Sequence, residues 1–195
     1  MQKFSLVLVC FFLIFKSSFA NTYSADPQNF VKELVGDVIN KLSEKNLSKE
    51  DKANYVKEIA TNNVDINALG LYTLGELRKS TDKDKIFEYQ KVFEKYFLKS
   101  LTSRLSDYAS NKFEVLSYEV KSSNYTIVKT KISQEDGQPA IKIDWRIYTK
   151  NPDRPLIRDL IVEGLSLART QKEEFASILN SNNNDINVLI AKLEE

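Results

Sequence analysis

RDLIVEGLSLARTQKEEF, residues 158–175, holds the passage from sheet to helix around which the rest of the chain is arranged. Its first half reads as a strand, with Leu160 and Val162 on one face and Ile161, joined by Ile157 just upstream, on the other. Apolar side chains on both faces describe a central strand covered from both sides. Glu163-Gly164 ends the alternation, and glycine offers the backbone freedom that a turn out of a sheet requires. From Ser166 onward, Leu167, Thr170, Glu174 and Phe175 follow helical spacing. Glu163 brings a carboxylate towards apolar surroundings, which costs several kcal/mol unless it is paired or hydrogen-bonded. It reads either as a corner residue bonded to nearby backbone, or as the polar group at the mouth of a pocket.

At the other end of the chain, residues 1–20 carry the marks of a signal peptide. Lys3 gives a positive start, positions 4–15 are apolar except for Ser5, and Ser18-Phe19-Ala20 has the small-x-small form of a cleavage site. The apolar run stops at Lys16, short of the roughly twenty residues that a membrane span needs. Cleavage after Ala20 and secretion are therefore expected, with residues 21–195 as a single domain. Losing Lys3 and Lys16 leaves 26 basic against 27 acidic residues, a net charge of −1. The only cysteine, Cys10, leaves too, and the chain has no histidine. Disulfides, Cys/His zinc sites and Ser-His-Asp or Cys-His triads are thus excluded for the mature chain. A near-neutral chain with no arginine-rich stripe is a poor nucleic-acid binder.

The first half of the mature chain is helical. Asp26-Pro27 opens a helix as cap and first helical residue. Phe30, Val31, Leu34, Val35, Val38, Ile39 and Leu42 then form one stripe. A second helix follows Ser48, with Val56, Ile59 and Ala60 as its inner face, and a shorter piece spans about 65–79, where Gly70 and Gly75 allow close approach of another backbone. Thr81 is placed to cap a long helix running to about Tyr108. Its inner face of Ile86, Tyr89, Val92, Phe93, Tyr96, Phe97, Leu101 and Leu105 suits an ordinary core, and equally a ligand pocket.

After residue 112 the period changes to two. Leu116, Tyr118 and Val120 share one side, Val128 and Ile132 another strand face, and Ile141, Ile143, Trp145 and Ile147 oppose Lys142, Asp144 and Arg146. Asp136-Gly137 marks a hairpin turn, and Asn151-Pro152-Asp153 a second turn before the strand of the opening stretch. After the Asn-rich 180–184, Asp185 caps a last helix with Ile186, Leu189, Ile190 and Leu193. The expected fold is α+β: a single twisted antiparallel sheet of about four strands, wrapped by N-terminal helices and a C-terminal helical tail, with helices mainly against one face. Such a sheet can close over an apolar cavity.

These residues carry a resemblance. Val162-Glu163-Gly164-Leu165-Ser166, followed by Lys172-Glu173-Glu174-Phe175, resembles the last strand and following helix of the MlaC-like (toluene tolerance) periplasmic phospholipid-binding proteins. Leu74-Gly75 with Lys79, the spaced Phe93 and Phe97, and Asp144-Trp145 fit further elements of that family in the same order. The resemblance implies a soluble monomeric periplasmic carrier, not an enzyme, with phospholipid as its carried ligand and no other cofactor. It also implies partners: an inner-membrane ABC-type lipid transporter complex and an outer-membrane lipoprotein/porin complex, in the maintenance of outer-membrane lipid asymmetry. Burial of an acyl chain of about fifteen methylenes, at about 0.8 kcal/mol each, is worth on the order of 12 kcal/mol against water. The cavity need only match what a bilayer already supplies. Candidates for its lining are Leu69, Leu74, Phe93, Phe97, Leu101, Tyr118, Val128, Ile143, Trp145, Ile161 and Leu165, with Glu163 at the mouth; each apolar member would serve a plain core as well. Two other readings stay open. One is a periplasmic interaction or assembly factor with a solid core; the other is an enzyme using Glu163 with Asp159 or Asp144 as a carboxylate pair.

Overall fold

The computed structural model describes residues 23–105, 112–133 and 139–195. The expected signal peptide with its cleavage after Ala20, the Asp136-Gly137 turn and the end of the long helix near Tyr108 lie outside those residues.

Helix α1 (Pro27–Ser43) starts where Asp26 accepts the Asn29 N–H at 2.9 Å, and it buries Phe30, Val31, Leu34, Val35 and Leu42. Helix α2 (Lys49–Asn63) starts at Ser48, whose hydroxyl accepts the Asp51 N–H and donates to the Asp51 carboxylate. Asp65 caps the short α3 (Ile66–Thr73), which runs into a 3-10 turn at Gly75–Lys79. Gly75 takes a φ of +58°, whereas at Gly70 the close neighbour is a ring rather than a backbone: an added Cβ would meet Phe93 Cδ1 at 3.0 Å. Helix α4 (Lys83–Leu105) begins one residue later than expected. Asp82 accepts the Asp84 N–H on its side chain and the Ile86 N–H on its carbonyl, while Thr81 turns back to donate to the Leu77 carbonyl.

Among the described residues the sheet is an antiparallel meander of five strands in sequence order: β1 (Lys112–Ser122), β2 (Tyr125–Ser133), β3 (Ile141–Tyr148), β4 (Leu156–Val162) and the two-residue β5 (Leu165–Ser166). The fifth strand is the addition to the expected four. It forms because Glu163 and Gly164 both take positive φ, 49° and 84°, and fold the chain back before α5 (Leu167–Asn180) and α6 (Ile186–Glu194).

Two expectations for β4 need correction. It is not central: among the described residues, beyond it lie only β5 and a single bridge from Val64 to Ile157. Nor does it alternate cleanly. Arg146 pairs with Asp159, but Ile147 pairs with Ile157, so Arg158 is an extra residue on the β4 side. The bulge brings Ile157 onto the same face as Leu160 and Val162, opposite Ile147, Trp145 and Ile143, and leaves Ile161 on the other face.

The helices also divide between two sides instead of gathering on one. Phe30, Val31, Leu34 and Val35 of α1 and Ile59 of α2 pack on Val128, Trp145, Ile147 and Ile157 of the apolar sheet face. The second core joins α3, α4, α5 and α6 through Tyr89, Val92, Phe93, Phe175, Leu179, Leu189 and Ile190. At the outer end of β1, register shifts interrupt the pattern, and Leu116, Tyr118 and Val120 are exposed.

Candidate functional site

Between α3 and the second face of the sheet lies a trough of about 810 Å³, within the range of about 300–1,000 Å³ that ligand pockets occupy. Cross-strand partners share a face, so the β2–β3 register puts Tyr125, Ile127 and Lys129 beside Asp144 and Arg146 on this wall. Glu119, Lys121 and Ser122 of β1 extend the wall at one end, and Arg158 and Ile161 of β4 with Ala168 of α5 at the other. Ala68, Leu69, Leu71 and Tyr72 of α3 face them, with Arg78 following. The trough is therefore divided. Its α3 side is apolar up to Arg78 beyond the helix end, and its sheet side carries charge between Ile127 and Ile161.

Arg158 fixes the spacing of the two walls. Its Nε and Nη2 lie 2.8 and 2.7 Å from Asp65 Oδ2, its Nη1 donates to the Tyr125 hydroxyl at 2.7 Å, and its guanidinium lies 3.4 Å from the Tyr148 ring centroid. Burial opposes the charge, but the hydrogen bonds to Tyr125 and Asp65 and the attraction of Asp65 outweigh it and hold the pKa above its ordinary value. Asp65 meanwhile caps α3 through the Ala68 N–H, and its own N–H donates to the Ile157 carbonyl. The residue that bulges from β4 thus ties the start of α3 to β2, β3 and β4.

Asp159, 4% exposed, performs the matching task for α5. Its oxygens accept the Ser166 hydroxyl at 2.7 Å and the Ala168 N–H at 3.0 Å, while Arg146 Nη1 stands 3.6 Å away. Glu163 takes the corner role. Its carboxylate accepts the Lys142 N–H and its own N–H returns to the Lys142 carbonyl, and it is not among the side chains lining the trough.

Of the candidate lining residues, the structure brings Leu69 and Ile161 together across the trough. Leu74 and Phe93 are buried in the helical core, with Phe97 packed against it, and Leu101 is half-buried on α4. Val128 and Trp145 are buried against α1 and α2 with Ile143 beside them, and the Trp145 indole N–H donates to Thr130 Oγ1 at 3.0 Å. Tyr118 is 54% and Leu165 69% exposed. The open space thus lies under α3, while Tyr89, Phe93, Tyr96 and Phe97 of α4 spend their faces on α3, α5 and α6.

Sequence reasoning missed Leu71, Tyr72, Tyr125, Ile127 and Ala168, and also the cations of the wall. One available signal was α3 itself, where Ala68, Leu69, Leu71 and Tyr72 give an eight-residue helix more apolar surface than one buried face can use. Among the described residues there is no cluster of side chains able to hold a metal ion, and no helix is long and apolar enough to cross a membrane.

A family model described as "MlaC protein" matches residues 32–195. The search of curated proteins returns no match. Among solved structures, the phospholipid-binding protein from Ralstonia solanacearum, in complex with a phospholipid, is similar in fold. The TM-score is 0.71 at 17% identity, over 86% of this chain and 94% of that one.

Proposed function

This chain belongs to the MlaC family, and from that premise we propose that it binds a phospholipid with its acyl chains in the trough beneath α3. The observation that carries this reading is the trough's division into an apolar helix side and a charged sheet side. Such a division suits a molecule that is itself apolar at one end and ionic at the other. Leu69, Leu71, Ile127 and Ile161 would contact the chains directly. Leu74 and Phe93 back α3 from behind, as Val128, Ile143 and Trp145 back the sheet wall. The relative from Ralstonia, solved with a phospholipid bound, supports the same ligand class.

In this reading the chain is a periplasmic carrier that moves lipid between outer- and inner-membrane complexes. Acyl burial in the trough replaces burial in a bilayer, so the carrier lowers the barrier to crossing water without setting direction. Direction would come from the docking partners. Organic extraction of the protein purified from bacteria should yield about one phospholipid per folded chain by mass spectrometry. Correctly folded protein that yields no lipid would refute the proposal.

A further inference from the structure

The charges around the trough are unevenly placed. Five cations line the trough (Arg78, Lys121, Lys129, Arg146 and Arg158) against the carboxylates of Glu119 and Asp144. Two more carboxylates pair with these cations from outside the lining, Asp65 at the α3 cap with Arg158 and Asp159 near Arg146, which leaves one positive charge in excess among the described residues. Two of the cations are already committed to the fold. Arg158 is held by Asp65 and Tyr125, and Arg78 donates to the carbonyls of Gly75 and Leu71. The other three are held loosely. Lys121 and Lys129 share one carboxylate, Glu119, at 2.6 and 3.8 Å. Arg146 reaches Asp159 only at 3.6 Å, while the Ser166 hydroxyl and the Ala168 N–H make the closer bonds to that carboxylate at 2.7 and 3.0 Å. The Glu119 pKa lies below its ordinary value, through the Lys121 hydrogen bond and charge first and Lys129 last, as a carboxylate among excess cations should.

Position along the wall matters as well. α3 packs over β4, so the β4 end of the trough is the covered one, lined there by Ile161 of β4 with Leu69 and Leu71 on the α3 side. Lys121 and Lys129 lie at the β1–β2 end, away from that cover, and Arg146 pairs across the ladder with Ile127 between the two regions. An acyl chain laid over these ammonium and guanidinium groups would strip their water with nothing in return. A phosphate there would instead gain charge-assisted hydrogen bonds.

We propose that Lys121, Lys129 and Arg146 form a phosphate subsite at the open end of the trough, which makes this chain select acidic phospholipids over zwitterionic ones. The inference rests on the lipid-binding reading above and deepens it. A phosphodiester with an uncharged head group carries one negative charge and balances the single excess positive charge of the site. A zwitterionic head group adds an ammonium that meets the same excess cations.

The test loads the mature chain from vesicles of phosphatidylglycerol and phosphatidylethanolamine in equal amounts with identical acyl chains. The bound lipid is then extracted and quantified. The expected result is phosphatidylglycerol enriched roughly two- to fivefold over the vesicle composition, the range that half-exposed charge pairs supply. The enrichment should fall towards the vesicle ratio at about 1 M salt, where the screening length is about 3 Å. Lys129→Gln with Arg146→Gln should bring it to the vesicle ratio, and Lys129→Arg should preserve it. Equal uptake of both lipids by the unaltered chain, or enrichment untouched by the glutamine pair, overturns the subsite while leaving the carrier reading intact. Failure to load either lipid overturns both.

Discussion

Tyr89 is fully buried on α4, and its hydroxyl lies 2.8 Å from Thr73 Oγ1, which in turn donates to the Gly70 carbonyl. Burial pushes the phenol well above its ordinary pKa, only partly countered by the Thr73 hydrogen bond. The folded state thus keeps this proton at a pH where the unfolded chain, titrating near about 10, gives it up. Its contribution to stability is complete below that pH and is lost as pH rises towards the folded pKa. Urea midpoints should therefore fall as pH climbs above about 10, and Tyr89→Phe should flatten that fall. At neutral pH the same change should cost only about 1 kcal/mol, because Thr73 keeps its bond to Gly70. Asp159 is a harsher case. Asp159→Ala leaves the Ser166 hydroxyl and the Ala168 N–H without their acceptor at a buried corner, so about 1–3 kcal/mol of unfolding free energy should disappear with no change in the urea m-value. A loss below about 0.5 kcal/mol would mean that water replaces the carboxylate there.

Elements were legible in the sequence wherever their determinants are local. Asp26, Ser48 and Asp185 each bond an N–H two or three residues ahead, so the sequence alone marks their helix starts. At the long helix the signal is blurred by two adjacent good caps, and Asp82 wins over Thr81. The bulge at Arg158 left no such mark. An inserted residue leaves no trace in the periodicity, yet it moves Ile157 to the opposite face, and the partners that hold Arg158 there, Asp65, Tyr125 and Tyr148, are distant in sequence. The fifth strand was hidden for a related reason: Glu163-Gly164 announced a turn, but two residues of pairing after it are too few for any periodicity. Backbone conformation makes two glycines opposite tests of this account. Around both Gly36 and Gly164 a new Cβ would find open space, so packing does not distinguish them. Gly36 lies inside α1, where Gly36→Ala should raise stability by about 0.5–1 kcal/mol. Gly164 holds a φ of +84°, and Gly164→Ala should lower it by about 1 kcal/mol or more. Thermal and urea unfolding of the two variants should move in opposite directions.

For the molecule as a whole, the lipid site was only partly legible, because a lining residue and a core residue have the same chemistry and differ only in what stands opposite. Phe93 and Phe97 announce themselves on α4, yet they face other helices. Ile127 and Ile161 look like ordinary strand residues, yet they face open space. Charge gave no better guide: Asp144 and Arg146 alternate with apolar neighbours along β3, and that spacing alone does not say that they line the trough. Two glutamates separate these possibilities. Ile161→Glu places a carboxylate where the acyl chains are proposed to lie and should abolish lipid retention while circular dichroism stays unchanged. Leu165 pairs with Val162 on the opposite face and is 69% exposed, so Leu165→Glu should retain lipid. Lipid bound only to the native state must also stabilise it, by about 2.7 kcal/mol when free lipid is a hundredfold above its dissociation constant. At about 2–4 °C per kcal/mol for a domain of this size, delipidation should lower Tm by roughly 5–10 °C, and reloading should restore it. Ile161→Glu should melt at the same temperature whether or not lipid is supplied, because it lacks the site through which lipid acts. A lipid-dependent shift of full size in that variant would place the ligand somewhere other than beneath α3.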